Sequence, residues 1–506
     1  MDPILLGAIF ITPIAAIIII GLIWYQKWNY TFKDLQHIKG PTPLPIVGNM
    51  SELGDPTKIF WQLFNWQIQY GNIVKGCYGM DMLLLISEPE YLEFICTSQS
   101  TLPKGIFYRY LHKWLSFGLL TSKGKKWHQR RKMITPAYHF KILEQFVEVF
   151  EKNGNILVEK LRGEVGNPSF DVNIYLTLCA LDSINETAMG TSVDAQNNSN
   201  TDYIRAIKEM NRIVVDRTIQ PHKHFDFLYQ FTNDYKIEQK CLKILHSYTL
   251  SIIESRRQEL LNNPSRFDSK YVDEFGMKKR IAFLDLLLQS TIDGKPLSNE
   301  DIREEVDTFM FEGHDTVSTC MSFWMYLISK HPEVEAKLLA EQREIFGDDP
   351  KRPTTYLDLQ KMHYMEMTVK ETLRLYPSVP FMMRDTLEDF TFRDLSVKKG
   401  TQILMLPFYL HRRADLYPEP EKFIPERFTA ENMSKRHPFA YLAFSAGYRN
   451  CIGQKFAMIE LKSTLSKVLR SFNICSAVPE HNLVIKSEII LAAGNGYKIQ
   501  LKNRTW

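Results

Sequence analysis

Residues 444–453 read Phe444-Ser445-Ala446-Gly447-Tyr448-Arg449-Asn450-Cys451-Ile452-Gly453, a single cysteine between two glycines. Glycine has no side chain and adopts left-handed backbone angles easily, so this pattern predicts a tight turn that can approach a flat ligand closely. Beyond the turn, apolar residues at positions 452, 456 and 459 recur at helical spacing. The sequence therefore predicts that the Cys451 sulfur lies in a turn at the N-terminus of a helix.

Cys451 has the setting of a metal ligand. The positive end of a helix stabilises a thiolate over a thiol, and the thiolate is the form that binds metals. No histidine and no second cysteine stands close to Cys451 in the sequence, which favours one axial bond to haem iron over a four-ligand zinc site. The alternative is a buried structural cysteine in a loop-to-helix turn, the usual role of a free cysteine.

The pattern F-x-x-G-x-R-x-C-x-G resembles the segment around the haem-ligating cysteine of cytochromes P450, and residues 444–453 match all of its fixed positions. So many fixed residues rarely coincide by chance, whereas most short motifs recur freely. The resemblance implies that Cys451 ligates the iron of haem b. It also implies that Phe444, Gly447 and Arg449 contact the cofactor, with Arg449 at a haem propionate.

Length and composition are those of a large globular protein. A chain of 506 residues needs several domains or one unusually large fold. Its hydrophobic content of 44% is ordinary, and a net charge of +4 is too small to indicate nucleic-acid binding. Seven widely spaced cysteines without a C-x-x-C pair argue against a disulfide framework and for a reducing compartment.

The N-terminus has the features of a membrane anchor. Residues 3–26 carry no charge and, as a helix, are long enough to cross a bilayer core of about 30 Å. The apolar run is longer than that of a cleaved signal and lacks a basic leader, so we expect residues 1–28 to be retained as a transmembrane anchor. Lys27, Lys33 and Lys39 follow it, and the positive-inside rule then places the rest of the chain in the cytosol.

A proline-rich hinge follows the anchor. Within residues 29–50, positions 40–49 read G-P-T-P-L-P-I-V-G-N, which cannot form a helix and should orient the catalytic domain, residues 51–506, against the membrane. Microsomal P450 proteins carry a similar hinge. The resemblance therefore implies a single-pass protein of the endoplasmic reticulum membrane.

A long helix is predicted in the middle of the chain. Ser298 and Asp301 can cap it, and it should run from about residue 299 to near residue 331, before Pro332. Its centre, residues 305–316, reads E-V-D-T-F-M-F-E-G-H-D-T. Buried acids and a glycine inside a helix are destabilising, which indicates that they serve a function.

Glu312, Asp315 and Thr316 fall at i, i+3 and i+4 and therefore share one face of this helix. The segment resembles the oxygen-activating motif G-x-[DE]-T of cytochromes P450. The resemblance implies that Thr316 donates protons to dioxygen and that Asp315 relays them, a general-acid role. The alternative for Thr316 is a hydroxyl bonded back to the carbonyl of Glu312.

The whole of residues 305–316 is similar to the hallmark of P450 family 4, whose members hydroxylate fatty acids and related lipids, often at the terminal carbon. Val317 departs from the pattern, since the family commonly has a second threonine there. In family 4 the glutamate that matches Glu312 forms an ester with a haem methyl group, which removes a buried charge. The alternative is an ionised Glu312 paired with a cation or water.

Further segments match P450 cofactor contacts. Trp127 and Arg131 lie at i, i+4, and this pair resembles the P450 helix whose Trp and Arg bind a haem propionate. Arg384 matches another propionate contact. Around Trp127 stands a basic cluster, more often a solvated face but also suited to an acidic redox partner: Lys123, Lys125, Lys126, Arg130, Arg131 and Lys132.

Glu371 and Arg374 form an E-x-x-R pair. The spacing alone carries little information, because it also occurs at Glu254 to Arg257, where a surface ion pair is the sensible interpretation. With Arg427 following in P-E-R-F, the order of segments resembles P450s and implies a buried structural triad of Glu371, Arg374 and Arg427. Two-pronged bonding to carboxylates explains the use of arginine.

The resemblance covers nearly the whole chain and implies a mainly α fold with a smaller β part (α+β) near the N-terminus, the cytochrome P450 fold, with an N-terminal transmembrane helix. The implied enzyme is a monooxygenase that inserts one atom of O2 into a C–H bond of a small lipophilic substrate: a fatty acid or related lipid, a hormone or a foreign compound. Electrons would come from NADPH through NADPH–cytochrome P450 reductase, with cytochrome b5 as a further candidate partner and no nucleic acid involved.

Two other classes stay open at this point. A peroxide-using haem enzyme would not need the Asp315–Thr316 pair, and a haem-thiolate sensor would need none of the polar groups on the central helix. The substrate is not identified, because the predicted pocket segments, residues 102–120, 379–383 and 491–497, are apolar without a diagnostic charge.

Overall fold

The structure of the protein, a computed structural model, describes residues 3–53, 58–198, 201–262 and 282–506. The surface loop predicted for residues 262–280 therefore lies outside the described residues, apart from its first position.

The elements of the described chain are mostly helices. The helices are α1 Pro3–Phe32, α2 Met50–Leu53, α3 Ile59–Tyr70, α4 Pro89–Thr97, α5 His112–Leu115, α6 Gly124–Ile134, α7 Phe140–Arg162, α8 Asn173–Ile184, α9 Ala195–Asn198, α10 Thr201–Ile219, α11 Asp226–Tyr229, α12 Asn233–Asn262, α13 Phe283–Gln289, α14 Asn299–Lys330, α15 Pro332–Phe346, α16 Tyr356–Lys361, α17 His363–Leu375, α18 Pro407–Leu410, α19 Ala430–Ser434 and α20 Gln454–Ser471. The strands are β1 Ile73–Tyr78, β2 Asp81–Ile86, β3 Phe170–Asp171, β4 Thr291–Ile292, β5 Lys295–Pro296, β6 Met382–Asp385, β7 Phe390–Phe392, β8 Leu395–Val397, β9 Gln402–Met405, β10 Phe472–Ser476, β11 Ile485–Ser487, β12 Leu491–Ala493 and β13 Lys498–Asn503.

The predicted central helix is confirmed as α14. Ser298 accepts a hydrogen bond from the backbone N–H of Asp301 at 3.1 Å, and the Asp301 side chain accepts one from the backbone N–H of Ser298 in return. The helix ends before Pro332, whose ring cannot continue it. With 32 residues it is about 48 Å long and packs against α8, α12, α17 and α20. The core of the protein is therefore built around α14.

The main sheet has four strands in the order β1-β2-β9-β6. β1 and β2 pair antiparallel, β9 runs parallel to β2, and β6 pairs antiparallel with β9. The prediction of a β part near the N-terminus is thus only half right, because β6 and β9 come from the C-terminal half of the chain. Parallel pairing joins strands that are distant in sequence, so local patterns do not reveal it.

The predicted anchor, residues 1–28, belongs to α1 from residue 3 onward. The side chains of residues 3–14, 16 and 17 lie outside the description. Searching the part of the chain that the structure describes finds no helix long and apolar enough to cross a membrane. The C-terminal end of α1 joins the folded domain, since Phe32 and Leu35 are buried in one cluster with Leu395.

The proline-rich segment that follows α1 packs against β1. The backbone N–H of Lys75 donates to the carbonyl of Lys39 at 3.0 Å. Asn49 and Cys77 exchange two hydrogen bonds, one through each backbone N–H, at 2.8 and 2.9 Å. At Gly40 an added Cβ would lie 1.9 Å from the carbonyl oxygen of Lys75. The segment predicted as a hinge is therefore fastened to the main sheet.

Candidate active site

A large cavity lies between the middle of α14 and the loop of residues 444–453. It contains about 1490 Å³ of space not filled by atoms, and most of its wall is aliphatic or aromatic. The predicted site residues that line it are Trp127, Arg131, Glu312, Thr316, Phe444, Arg449 and Cys451. Asp315, Arg384 and Gly447 stand behind the wall, and the Glu371 triad lies elsewhere.

The cysteine loop turns as the glycine pattern predicts. Gly447 has φ +64°, and an added Cβ there would lie 1.9 Å from the carbonyl oxygen of Cys96. The backbone N–H of Cys451 donates to the carbonyl of Phe444 at 2.9 Å, which closes the loop just before α20 begins at Gln454. The sulfur of Cys451 opens onto the cavity.

Opposing interactions act on the pKa of Cys451. Burial raises the pKa of Cys451 to about 11, and the nearby Glu312 carboxylate adds to this effect. The backbone N–H of Gly453 and the Arg131 guanidinium lower the same pKa, as expected for a helix N-terminus, but they do not outweigh burial. The protein alone therefore keeps a thiol, and deprotonation would come from a metal ion, which ionises a coordinated thiol outright.

The α14 wall of the cavity carries Glu312, Gly313 and Thr316. The Thr316 hydroxyl donates to the carbonyl of Glu312 at 2.8 Å, the alternative arrangement considered for this threonine. At Gly313 an added Cβ would lie 2.5 Å from Cδ1 of Ile184 on α8. Glycine is therefore needed here for the close packing of α8 on α14.

Asp315 points away from the cavity. Its Oδ2 accepts a hydrogen bond from Nδ2 of Asn211 on α10 at 2.9 Å. The expectation that Glu312, Asp315 and Thr316 share one face thus holds for Glu312 and Thr316 in the cavity wall, while Asp315 lies at the edge of that face, toward α10. The reason is the 100° step between helix residues, which spreads i and i+3 by about 60°.

Glu312 is a carboxyl group inside the cavity wall. Burial raises its pKa to about 7, while the cations of Lys104 and Arg131 act in the opposite direction. A glutamate in this environment is protonated to a large extent near neutral pH, where an exposed glutamate is fully ionised, because the charged form lacks water around it.

The cations at one side of the cavity fit a ligand that carries carboxylates. Arg384 is 1% exposed, and neither of its terminal nitrogens has a hydrogen-bond partner within the described part of the chain. Lys104 pairs with Arg384 through a β-bridge and lines the cavity. Burial, together with repulsion from Arg384, lowers the pKa of both Lys104 and Arg449. Haem propionates would supply the missing negative charges, so these residues fit haem.

Sequence reasoning missed Lys104. It stands inside residues 102–120, the segment predicted to lack a diagnostic charge, and that prediction is wrong at this residue. No local pattern marks Lys104, because only its bridge to β6 brings it to the cavity. The prediction that residues 491–497 line the pocket is also wrong. In this part of the chain the cavity is lined by Ile489 and Ile490, which come just before them.

Arg131 and Arg449 brace the cysteine loop. Arg131 donates to the carbonyl and to Oδ1 of Asn450, at 2.9 and 2.6 Å. Arg449 donates to the backbone carbonyls of Leu102, Leu119 and Ser122. Its guanidinium carbon lies 4.3 Å from the ring centroid of the buried Trp127. These contacts fix the positions of both arginines beside the cavity.

Glu371, Arg374 and Arg427 meet away from the cavity. Arg374 donates to both carboxylate oxygens of Glu371, at 2.7 and 2.9 Å, and both side chains are fully buried. Nε of Arg427 lies 3.4 Å from Oε1 of Glu371. Arg374 also donates to the backbone carbonyls of His411, Pro420 and Lys422. The group therefore connects α17 to residues 411–427, the segment that precedes the cysteine loop.

The basic cluster around Trp127 is partly used inside the protein. Arg130 is buried and bonds to Asp301, and Lys126 pairs with Glu304. These two cations are therefore engaged with α14, and Arg131 is engaged with Asn450. The exposed members of the cluster are Lys123, Lys125 and Lys132.

A tight turn presents one accessible thiol to the cavity, opposite a helix with an acid and a threonine, and cations without partners stand at one side. This arrangement is that of a haem-thiolate protein. The sequence model of the family "Cytochrome P450" matches residues 38–500. Cytochrome P450 4d2 of Drosophila melanogaster is 41% identical, over 98% of this chain and 99% of that protein. Cytochrome P450 4c3 of the same species is 41% identical, over 97% and 94%.

Cytochrome P450 4V2 of Homo sapiens is 43% identical, over 91% of this chain and 88% of that protein. The chain belongs to the cytochrome P450 family, and these relatives are members of its family 4. It is therefore a haem monooxygenase, an oxidoreductase that acts on lipophilic substrates with electrons from a redox partner.

Proposed function

We propose that this protein hydroxylates fatty acids or related lipids at or near the chain terminus. The observation that carries the proposal is the cavity wall, which is mostly apolar and whose charged side chains are Glu312 and the cations on one side. A second, mostly apolar cavity, with about 710 Å³ of unfilled space when the part open to solvent is counted, adjoins it and shares Tyr108, Leu111, Val379 and Ile489 with it. Together they suit a long aliphatic chain better than a compact polar molecule.

Each polar residue of the cavity has a role in the proposed reaction. When bound, haem supplies the activation of dioxygen by electrons at its iron. Cys451 ligates that iron, and Lys104 and Arg384 neutralise the propionates. Arg131 and Arg449 hold the cysteine loop and Trp127 in place around the cofactor, next to Phe444.

Proton delivery falls to Thr316 and Asp315. The Thr316 hydroxyl gives up its bond to the Glu312 carbonyl, which is worth only about 1 kcal/mol, and donates into the cavity. Asp315, on the α10 side of the same helix turn, returns a proton to Thr316 from outside the cavity. This route separates the proton source from the apolar substrate.

Glu312 is proposed to form an ester with a haem methyl group during turnover. A methyl C–H bond and the carboxyl O–H bond are replaced by a C–O bond, a two-electron oxidation in which O2, with two further electrons from NADPH, is the oxidant and is reduced to water. A carboxylate buried against a flat cofactor is unfavourable, and its raised pKa shows that burial already opposes the charge. Esterification removes the charge and fixes the cofactor in the cavity. A rigidly held haem favours hydroxylation of the terminal carbon of the substrate over hydroxylation at the weaker internal C–H bonds.

Electrons are proposed to come from NADPH through membrane-bound NADPH–cytochrome P450 reductase, with cytochrome b5 as a second donor. Residues 3–26 carry no charge and belong to one continuous helix, which supports attachment to the endoplasmic reticulum membrane. Phe225, Phe227 and Phe231 add exposed aromatic surface on the folded domain.

Turnover with a defined panel tests the function. The protein is reconstituted with the reductase and given dodecanoic acid, hexadecanoic acid, an isoprenoid acid and 7-ethoxycoumarin, and the hydroxylation position is determined by mass spectrometry. Terminal hydroxylation of the straight-chain acids is expected. Turnover of the coumarin alone, or of none of the four, would contradict the proposal.

Two controls separate the rival classes. In Thr316→Ala, NADPH oxidation should continue while product per NADPH falls about ten-fold and hydrogen peroxide rises. Product formed equally well from hydrogen peroxide without the reductase would favour a peroxide-using enzyme. Absence of NADPH-dependent oxygen consumption with every substrate would favour a sensor.

A further inference from the structure

The loop between α5 and α6, residues 116–122, is held by two acids of α14. The backbone N–H of Phe117 donates to Oε2 of Glu304 at 3.1 Å. The backbone N–H of Leu119 donates to Oε2 of Glu305 at 2.9 Å. Consecutive glutamates of one helix therefore bind alternate amides of one loop.

The loop also packs directly onto the helix. Gly118 lies between the two bound amides, and an added Cβ there would lie 2.3 Å from Oγ1 of Thr308 and 2.5 Å from the carbonyl oxygen of Glu304. Ser116 accepts a further hydrogen bond from Arg303 at 3.3 Å. The loop is thus in contact with α14 and is bonded to it on both sides of Gly118.

The other side of the loop faces the cofactor cavity. Its carbonyls at Leu119 and Ser122 accept hydrogen bonds from Arg449 of the cysteine loop. The side chains of Leu119 and Leu120 form part of the cavity wall. Any shift of this backbone therefore moves the wall and the acceptors of Arg449 together.

Glu304 and Glu305 are themselves buried, with 2% and 0% of their surface exposed. Arg130 of α6 lies 3.7 Å from Glu304 and 3.5 Å from Glu305, and Lys126 pairs with Glu304. Asp301 adds a third acid to these two cations. Buried charges are costly unless they are paired and bonded, and neither glutamate lines the cavity. Neither glutamate has a role in the proposed activation of oxygen.

We propose that Glu304 and Glu305 are specificity-determining positioning residues. By holding the amides of Phe117 and Leu119, they set the position of Leu119 and Leu120 and so the size of ligand that the haem side of the cavity admits. The inference needs haem in the cavity, which family membership supplies, and does not depend on which lipid is the substrate.

The test compares ligands of two sizes on the haem-loaded protein. Imidazole and 4-phenylimidazole bind through the same ring nitrogen, and their Kd values are read from the shift of the Soret band. In Glu305→Leu the ratio of the two Kd values should change up to about ten-fold, the equivalent of one lost hydrogen bond. The Kd of imidazole itself should stay within about two-fold, because it does not reach the wall.

Glu305→Gln keeps an acceptor oxygen and should return most of the parent ratio. Glu300→Leu is the matched control, since Glu300 is exposed on the first turn of the same helix. Hydrogen exchange of peptides that contain residues 116–122 provides a readout without any ligand, and should be faster in Glu305→Leu and Glu304→Leu than in the control.

If the leucine variants do not retain haem, Glu304→Gln and Glu305→Gln are compared with the parent in the same way, with smaller effects of the same sign. Loop exchange equal to the parent in every variant that retains haem would overturn the proposal. Faster exchange with an unchanged Kd ratio would also overturn it, because the acids would then be structural only.

Discussion

Cys451 and Glu312 line the same cavity, and the charge of Glu312 disfavours ionisation of Cys451. Burial raises the pKa of both groups, and the Glu312 carboxylate raises the pKa of the thiol further. Two anions close together in an apolar cavity are unfavourable. Coordination of the sulfur to a metal ion and esterification of the carboxyl group are the two changes that resolve this conflict.

Cys451→His tests the iron ligand. Loss of the thiolate should abolish the strongly red-shifted Soret band of the reduced carbon-monoxide complex, because that shift depends on electron donation from sulfur. Cys320→Ala is the matched control, since Cys320 is the other cysteine in the cavity wall and should leave the band unchanged. Survival of the band in Cys451→His would refute the assignment.

Glu312→Ala tests the covalent link. After turnover, acidified organic solvent should leave haem on the parent polypeptide and remove it from Glu312→Ala, because an ester survives extraction and an axial bond does not. Glu300→Ala should behave like the parent, since Glu300 is exposed on the first turn of the same helix and does not line the cavity. Complete extraction of haem from the parent would disprove the ester without affecting Cys451.

At the scale of elements, the cysteine loop and the buried triad depend on close packing in different ways. Gly447 has a left-handed φ and touches the backbone of α4, so both its conformation and its lack of a side chain are required. Glu371 and Arg374 instead hold α17 through paired charges that are fully buried. The cysteine loop should therefore be sensitive to a side chain at Gly447, and the position of α17 should be sensitive to loss of the Glu371 charge.

Gly447→Ala should destabilise the cysteine loop. A non-glycine residue at φ +64° costs about 1–2 kcal/mol, and the clash with Cys96 adds to it. The haem content from the reduced carbon-monoxide spectrum should fall. Gly453→Ala is the comparison, because its Cβ would meet only the Cys451 sulfur at 3.9 Å. Equal haem content in the two variants would show that Gly447 is dispensable.

Glu371→Gln should lower the free energy of unfolding by about 3–5 kcal/mol, because it leaves the Arg374 charge buried without its partner. Glu254→Gln has the same E-x-x-R spacing on an exposed surface and should change the stability by about 0.5 kcal/mol or less. Thermal unfolding of the haem-loaded proteins measures both. A similar melting temperature for the two variants would contradict this account of the triad.

At the scale of the whole molecule, the N-terminal helix connects two environments. Its C-terminal end contributes Phe32 to a buried cluster that also contains Leu35, Leu395 and Val397, while Ile18, Leu22 and Ile23 are exposed. The change from exposed to buried apolar side chains therefore lies inside α1 and not at its end.

Deletion of residues 2–30 should release the protein only partly from membranes and should leave haem binding intact. Phe32 and Leu35 remain in place, and the exposed Phe225, Phe227 and Phe231 keep some affinity for the interface. Deletion of residues 2–38 removes the buried side chains as well and should lower haem content. Sedimentation with vesicles and the reduced carbon-monoxide spectrum are the measurements. Loss of haem in the shorter deletion would place the anchor in the folded core.

Sequence reasoning was strongest where local chemistry decides the structure. The glycine turn before α20 and the Ser298–Asp301 cap of α14 both follow from interactions between residues close in the chain. It failed where distant segments meet. The cavity position of Lys104 and the partners of β2 depend on strands from the C-terminal half.

The sequence by itself determined the family, the cysteine available to iron, and the helix that carries Glu312 and Thr316. Each of these is recognised from a short pattern of adjacent residues. The tertiary structure alone decided that burial keeps Cys451 a thiol, that Asp315 faces Asn211, and that Arg384 has unpaired nitrogens beside the cavity. The physical reason is that a side chain's charge state and direction depend on what packs against it, and those neighbours come from anywhere in the chain.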